Sequence, residues 1–199
     1  MSGGMASALI PLAQGCEELE AVTLIDLLRR AQIEVVTAGL TAEPVTGGCG
    51  TVLVPDMTLE KAMQREFDLI VLPGGAAGAD RLENDARVVE LLRKMAMHGK
   101  YVAAICAAPK VLAAAGLLDG KRATCYPGSL DVKKYPRIRL ENRAIVIDGK
   151  ILTSRGPGTA MDFALELIRT LSGKQTRDKV EATLARPPEQ ALAQLADWG

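Results

Sequence analysis

The sequence predicts an α/β protein in which helices cover both faces of a parallel or mixed sheet. Short apolar runs alternate along the chain with amphipathic segments, and several runs end at glycine, where turns are expected. The 199 residues suit one domain that can bury a sizeable core. We therefore expect a single domain over residues 1–199, with its core at about 6–185 and a tail at 186–199.

The first half of the chain is expected to contain four strands and two helices. A continuous apolar run over 8–13 is typical of a buried strand, although Pro11 lacks an amide hydrogen and should disturb the ladder locally. Apolar residues at helical spacing, with acids near one end and arginines at the other, predict a helix over 18–30. The other elements are strands over 33–38, 52–54 and 67–72 and a helix over 87–97.

The second half begins with a strand over 101–105, a sharp turn and a helix over 110–115. Residues 123–125 are expected to be extended. Asp148-Gly149 predicts a hairpin turn between strands over 144–147 and 150–153. Helices are expected over 159–171, closed by Gly173, and over 175–185. After Pro187-Pro188, residues 189–198 are either a last helical turn or a frayed end.

Cys106 stands at the sharp turn between a predicted strand and a predicted helix. A nucleophile on such an elbow projects from the carboxyl edge of the sheet, beside a helix amino terminus. The helix dipole there favours a thiolate, which is the reactive form of cysteine. By itself, a lone cysteine after an apolar strand is more often an inert buried thiol, so its predicted neighbours decide between the two interpretations.

Two other loops should meet Cys106, because the carboxyl ends of parallel strands share one edge of a sheet. The loop at 73–76 offers the amide of Gly75, which together with that of Ala107 is a candidate oxyanion hole. The loop and helix at 14–20 offer three carboxyl groups as a proton carrier, those of Glu17, Glu18 and Glu20. Glu20 falls between apolar positions, on a helix face that could turn inward.

Composition excludes several classes of protein. Acidic and basic residues number 24 each, so direct tight binding of nucleic acid is not expected. The four cysteines form no CxxC pair, which argues against a metal site and a disulfide framework. Neither a secretory signal nor an apolar run of membrane-spanning length is recognisable, and we expect a reducing cytoplasm. The one histidine, His98, lies at the far end of the strand that leads to Cys106, which excludes a Cys-His dyad within the chain.

Over about residues 7–173 the chain resembles the ThiJ/PfpI superfamily, specifically the DJ-1-like branch of the parkinsonism-associated deglycase and its bacterial relatives. The resemblance depends on four motifs, which are Gly15-Cys16-Glu17-Glu18-Leu19-Glu20, Asp68-Leu69-Ile70-Val71-Leu72-Pro73-Gly74-Gly75, Ala103-Ala104-Ile105-Cys106-Ala107-Ala108-Pro109 and Leu152-Thr153-Ser154-Arg155-Gly156-Pro157-Gly158-Thr159. It implies a flavodoxin-like three-layer sandwich and usually a homodimer.

The resemblance also implies roles for individual residues. It assigns the reactive, oxidisable thiol to Cys106, its protonated carboxyl partner to Glu20, and the oxyanion donors to Gly75 and Ala107. Arg30 and Arg155 match arginines near the site and the dimer contact. Tyr126 stands where relatives often carry a histidine, and Cys49 stands where an arginine of the interface loop is expected.

The function implied is glutathione-independent detoxification of dicarbonyls, of glyoxalase or deglycase type, in the response to oxidative and carbonyl stress. Its partners would be small reactive dicarbonyls or glycated adducts, and it would need no cofactor and no metal. The alternative is a redox-sensing protective protein or chaperone that acts through oxidation of Cys106, with little or no turnover. A function as a peptidase or amidase is a weaker hypothesis, because this chain lacks the histidine beside the cysteine that such chemistry requires.

Overall fold

A computed structural model describes residues 5–186, which form a seven-stranded sheet between two layers of helices. This confirms the predicted flavodoxin-like α/β class. Its strands are Ser7–Leu12 (β1), Glu34–Gly39 (β2), Met57–Thr58 (β5), Leu69–Leu72 (β6), Tyr101–Ile105 (β7), Ile145–Asp148 (β10) and Ile151–Ser154 (β11). The sheet has the order β10-β11-β7-β6-β1-β2-β5, and all neighbours are parallel except β10 and β11.

Helices cover both faces of the sheet because its two halves wind in opposite directions from β1. Right-handed crossovers then place the helix after β1 and the helix before β7 on opposite faces. The helices are Glu18–Arg30 (α1), Leu59–Ala62 (α2), Ala76–Asn84 (α3), Ala86–Met97 (α4), Pro109–Ala114 (α5) and Ala160–Ala182 (α6). Helix α1 packs on α6, whereas α3, α4 and α5 pack on one another. Within residues 5–186, no helix has both the length and the apolar character that crossing a bilayer requires.

Most predicted elements are present, and the differences have local causes. The strand expected at 52–54 lies outside the main sheet, where Val52–Leu53 (β4) pairs with Val45–Thr46 (β3). The hairpin turn falls at 149–150, one residue later than predicted, because Asp148 stays in the ladder opposite Ile151 and its carboxylate accepts the Arg122 amide. A second two-stranded sheet joins Arg122–Ala123 (β8) to Arg139–Leu140 (β9).

Two expectations about irregular backbone are confirmed. Strand β1 pairs with β2 over six residues but with β6 only at Ala8 and Leu9. Pro11, which has no amide hydrogen to donate, therefore lies outside the pairing with β6. Helix α6 is broken at Gly173, whose φ of 84° and ψ of 168° are not helical, so two helices follow each other as predicted. The expected tail beyond Pro187 lies outside the described residues.

The switch point of the sheet lies between β1 and β6, where the two halves diverge. Ligands of open α/β sheets bind outside the strand carboxyl ends at such a point. Three connections leave the sheet there, at residues 13–17 after β1, 73–75 after β6 and 106–108 after β7. The topology therefore brings together the loops that the sequence singled out.

Candidate active site

Cys106 occupies a strained turn that its neighbours hold in place. Its φ of 63° lies in the left-handed region, which is uncommon for a residue with a side chain. The Cys106 amide donates to the Ser154 carbonyl oxygen at 2.9 Å, and the Cys106 carbonyl accepts from the Tyr126 amide at 2.8 Å and the Ser129 hydroxyl at 3.3 Å. Only 8% of the residue is exposed. The elbow predicted from the sequence is therefore present and rigidly supported.

Glu20 lies in the first turn of α1 and is completely buried. It shares the inward face of the helix with Leu24 and Leu28, as its spacing among the apolar positions predicts. Its Oε2 accepts the Gly74 amide at 2.8 Å, whereas Oε1 is buried without a hydrogen-bond partner among residues 5–186. A buried oxygen of this kind is unfavourable as a carboxylate and favours the protonated form of the group.

Gly74 lets the thiol and the carboxyl group approach each other. A Cβ atom at this position would lie 2.6 Å from the Cβ of Cys106 and 2.8 Å from Oε2 of Glu20. Any side chain would therefore displace one of the two groups. Sequence reasoning placed Gly74 in a turn but did not assign it this role, for which the Gly74-Gly75 pair after β6 is the only signal.

Burial disfavours charge on both acidic groups. It raises the pKa of Glu20 to about 7, although the Gly74 amide and the Cys106 thiol act in the opposite direction. It also raises the pKa of Cys106 to about 12, with a further contribution from the charge of the Glu20 carboxylate. The expectation of a thiolate stabilised by the helix dipole is therefore wrong for this site while Glu20 is charged. Protonation of Glu20 removes that repulsion, so the two groups accommodate one negative charge between them.

The amides of Gly75 and Ala107 both interact with the Cys106 thiol and favour its ionised form. Gly75 is the residue before α3, and Ala107 follows the elbow directly. N–H groups beside a sulfur can stabilise an oxygen that develops negative charge on an adduct of that sulfur. The role of Gly75 and Ala107 as oxyanion donors stays a prediction.

Gly75 is also the point at which two of the loops touch. Its φ is 83°, and a Cβ would lie 2.4 Å from the Gly15 carbonyl oxygen and 2.6 Å from the Glu17 nitrogen. We expect Gly75→Ala to lower the free energy of unfolding by about 3 kcal/mol or more, because it adds a backbone clash to an unfavourable φ. The matched control is Gly116→Ala, with φ 76° and open space around the added methyl, for which about 1 kcal/mol is expected. Equal losses in urea unfolding would show that the loop contact is unimportant.

Arg155 and Tyr126 lie at the border of the site. The register of β11 with β7 pairs Ser154 with Ile105, so Arg155 follows beside Cys106, and its guanidinium donates to Oδ1 of Asn142 at 2.5 Å. Tyr126 is 52% exposed, and its ring packs on Gly156. A supporting role of Arg155 and Tyr126 at the site stays a prediction.

Arg30 is not brought to the site, which corrects the expectation that it supports it. It lies ten residues beyond Glu20 on the same helix, about 15 Å along the axis. Its side chain pairs with Asp26 at 2.7 Å and is half exposed. A role of Arg30 at an interface between two chains stays a prediction.

Glu18 has a structural role that the sequence did not reveal. Its carboxylate accepts the amides of Cys49 and Thr51 at 2.9 and 3.2 Å, and these bonds hold the β3–β4 hairpin against α1. Ligand atoms of Glu17, Glu18 and Cys49 lie within 4.8 Å of one another. Because the backbone already occupies the Glu18 carboxylate, this group is better explained as a hairpin anchor than as a metal site.

The other cysteines and the histidine lie apart from this chemistry. All four cysteines are free, and Cys16 and Cys125 are buried while Cys49 is exposed. Burial raises the pKa of Cys16 to about 11, as expected of an inert structural thiol. His98 is exposed at the end of α4, at the edge of the sheet opposite Cys106.

The fold and the site define a flavodoxin-like α/β protein with a buried cysteine and glutamate at its switch point. The chain belongs to the DJ-1/PfpI family, whose profile matches residues 6–170. It is 43% identical to Protein DJ-1alpha of Drosophila melanogaster over 176 residues, which is 87% of this chain and 81% of that protein. It is 36% identical to the glutathione-independent glyoxalase DJR-1.2 of Caenorhabditis elegans over 170 residues, or 85% and 90% of the two chains. The crystal structure of Drosophila melanogaster DJ-1beta superposes with a TM-score of 0.88 at 39% identity, covering 93% of this chain and all of that one.

Proposed function

We propose that this protein is a cofactor-independent glyoxalase or deglycase that converts small dicarbonyls, or their adducts on proteins and nucleotides, during oxidative and carbonyl stress. The observation that carries the proposal is the completely buried Glu20 carboxyl group, one oxygen of which is held by Gly74 while the other has no partner among residues 5–186. A group in that state, with a pKa raised to about 7, can both take and give a proton near neutral pH.

The first step is addition of the Cys106 sulfur to the aldehyde carbon of methylglyoxal. Glu20, as carboxylate, takes the thiol proton while the carbon–sulfur bond forms, so the thiolate never has to exist free in a buried site. The electron pair of the carbonyl bond moves to its oxygen, which the Gly75 and Ala107 amides bind. Glu20 then passes the thiol proton to that oxygen, which gives a hemithioacetal and restores the Glu20 carboxylate.

The second step moves hydrogen between the two carbons. The Glu20 carboxylate removes the proton from the carbon that carries sulfur, and the electrons pass to the neighbouring ketone oxygen. Glu20 then returns a proton to the former ketone carbon, while the hydroxyl of the hemithioacetal gives its proton to the former ketone oxygen and becomes the carbonyl of a lactate thioester on Cys106. One buried group thus acts as base and as acid in turn.

Hydrolysis completes the cycle. Water adds to the thioester carbonyl carbon, whose oxygen again lies at the Gly75 and Ala107 amides. The Glu20 carboxylate takes a proton from this water as it adds, and passes it to sulfur as the carbon–sulfur bond breaks, which restores the thiol and releases lactate. The net reaction consumes one water and needs no redox partner, since one carbon is oxidised while its neighbour is reduced.

Two further observations support this proposal. One relative that matches over most of both chains is named a glutathione-independent glyoxalase. The chain also has four free cysteines, which suits a reducing compartment such as the cytoplasm.

Conversion of methylglyoxal in deuterated water tests the proposed hydrogen transfer. If Glu20 carries the proton, it exchanges with solvent, and we expect deuterium at the second carbon of lactate in the proton NMR spectrum. Intact-mass analysis should also show a transient adduct on the wild-type chain that is absent from Cys106→Ser. Lactate that retains only substrate hydrogen at that carbon would indicate a direct hydride shift instead, and no lactate at all would refute the enzymatic function.

A redox-sensing role is the second candidate, and the same geometry favours it. Two equivalents of peroxide would convert the Cys106 thiol to a sulfinic acid, with release of two waters. Protonated Glu20 and the amides of Gly75 and Ala107 could then donate to the sulfinate oxygens. A gain of two oxygen atoms at Cys106 with enhanced anti-aggregation activity, in protein that does not turn over methylglyoxal, would favour this role.

The homodimer expected from the resemblance is part of the proposal. Leu19 and Val22 on α1 are 51% and 46% exposed, and Val52 on the adjacent β3–β4 hairpin is 59% exposed. Apolar side chains grouped in this way favour association with a second copy. Light scattering should give about twice the chain mass of 21.1 kDa; a value near the single mass would contradict the dimer.

A further inference from the structure

A cavity of about 210 Å³ opens at the edge of the sheet opposite Cys106, where β6 and β7 begin. Its apolar lining is formed by Phe67, Leu91 and Met95, each at most 5% exposed. It shares no lining residue with the Cys106 site, and the proposed function makes no use of it. We call it the amino-edge cavity.

The polar lining of the amino-edge cavity is strongly biased towards positive charge. It contains Arg65, Lys94 and Lys100 but only one acidic residue, Glu66. Arg65 pairs with Glu34 at 2.5 Å, outside the cavity lining. Lys100 likewise pairs with Asp68 at 2.9 Å. These two cations are therefore largely compensated.

Lys94 is the cavity-lining cation whose charge is not compensated by a carboxylate among the described residues. Within residues 5–186 no carboxylate pairs with it, and its side chain makes no hydrogen bond there. His98 adds a polar group beside it, since Nδ1 of His98 lies 2.7 Å from the Lys94 carbonyl oxygen. A carbonyl oxygen only accepts, so Nδ1 carries the hydrogen and Nε2 stays available to a ligand.

We propose that the amino-edge cavity binds a small organic anion with an apolar body, such as a short-chain alkyl or aromatic carboxylate. The apolar body would cover Phe67, Leu91 and Met95, and the carboxylate would meet Lys94 at the rim. Pockets for drug-sized molecules have volumes of about 300 to 1,000 Å³. The amino-edge cavity is smaller, so its volume suits a ligand smaller than a drug, such as a short-chain carboxylate. Sites of this kind combine an apolar interior with a few polar groups that orient the ligand.

The test uses the full chain labelled with ¹³C at the methionine methyl groups and titrated with hexanoate, benzoate or the neutral hexanol. Met95 lines the cavity, whereas Met97 on the same helix is 85% exposed and is the internal reference. We expect a saturable shift of the Met95 methyl signal with either carboxylate and at least about tenfold weaker binding of hexanol. The absence of a saturable Met95 shift up to about 20 mM carboxylate, or equal binding of hexanol, would overturn the proposal.

Charge-reversal variants locate the anion. Lys94→Glu should weaken hexanoate binding at least about tenfold and Lys94→Gln less, while Lys133→Glu makes the same charge change at an exposed site outside the cavity and should have no effect. Because Lys94 is exposed, its variants are expected to fold, and far-ultraviolet circular dichroism of each variant checks that they do. The Cys106→Ser variant should bind hexanoate as the wild type does. Loss of binding in Cys106→Ser, or none in Lys94→Glu, would place the ligand elsewhere and refute the proposal.

Discussion

Replacement of Cys106 by serine is expected to lower kcat/KM for methylglyoxal by at least about 1,000-fold. The alcohol of serine is a far weaker acid than a thiol, and a carboxylate with a pKa raised to about 7 cannot deprotonate it effectively. The serine side chain is smaller than the thiol and fits the same elbow, so the fold should be retained. Lactate formation measured by NMR at several substrate concentrations gives the comparison directly.

The matched control for this prediction is Cys49→Ser. Cys49 is an exposed free thiol on the β3–β4 hairpin, so its loss removes one reactive sulfur without touching the elbow. We expect Cys49→Ser to keep activity within about twofold of the wild type. Activity of Cys106→Ser above about a tenth of the wild-type value would exclude sulfur addition as the main route.

The variant Glu20→Gln is expected to lose activity about 100- to 10,000-fold, because it removes the proton carrier and keeps the shape of the side chain. The glutamine oxygen can still accept the Gly74 amide, so the loops should keep their positions. The loss should be seen mainly in kcat, since the changed group acts in proton transfer. Unchanged turnover in Glu20→Gln would exclude Glu20 as the acid and base.

The same variant should become more stable than the wild type as the pH rises. The pKa of Glu20 is raised from 4.5 to about 7 in the folded chain, so the folded state holds this proton more tightly than the unfolded state. Its stabilising effect is complete below about pH 4.5 and is lost as the pH rises through about 7, which corresponds to about 3 kcal/mol. Glutamine does not titrate, so the stability of Glu20→Gln relative to the wild type should increase by up to that amount between pH 4 and pH 8.

Urea unfolding at several pH values measures this difference. The control Glu90→Gln removes an exposed carboxylate from α4 and shows how much of the pH dependence is general to the chain. A difference between Glu20→Gln and the wild type that stays constant from pH 4 to pH 8 would contradict the raised pKa. A variant that is less active and yet more stable is the usual sign of a group kept for chemistry at a cost in stability.

The positions of Cys106 and Glu20 could be predicted because each depends on a short pattern. A strand that ends in a sharp turn places the thiol, and the spacing of Glu20 from Leu24 and Leu28 turns the carboxyl group inward. The choice among Glu17, Glu18 and Glu20 could not be made from composition, since only packing shows that Glu18 binds the hairpin instead.

Other features depend on contacts between distant segments. The two-residue strand β3 has no periodicity of its own, and its pairing with β4 depends on the loop between them, which Glu18 binds. The proton affinity of Cys106 depends on burial and on the Glu20 charge, which the helix dipole alone does not predict. The length of α1 places Arg30 far from the site, although the resemblance suggested that this arginine lies near it.

The position of Gly74 between Glu20 and Cys106 has a consequence for folding. Glu20 belongs to the first βα unit, whereas Gly74 and Cys106 follow β6 and β7 in the other half of the sheet. The three groups meet only after both halves have docked along the β1–β6 junction. Turnover of methylglyoxal regained during renaturation should therefore report the completion of the tertiary structure, and it should lag behind the recovery of helical circular dichroism.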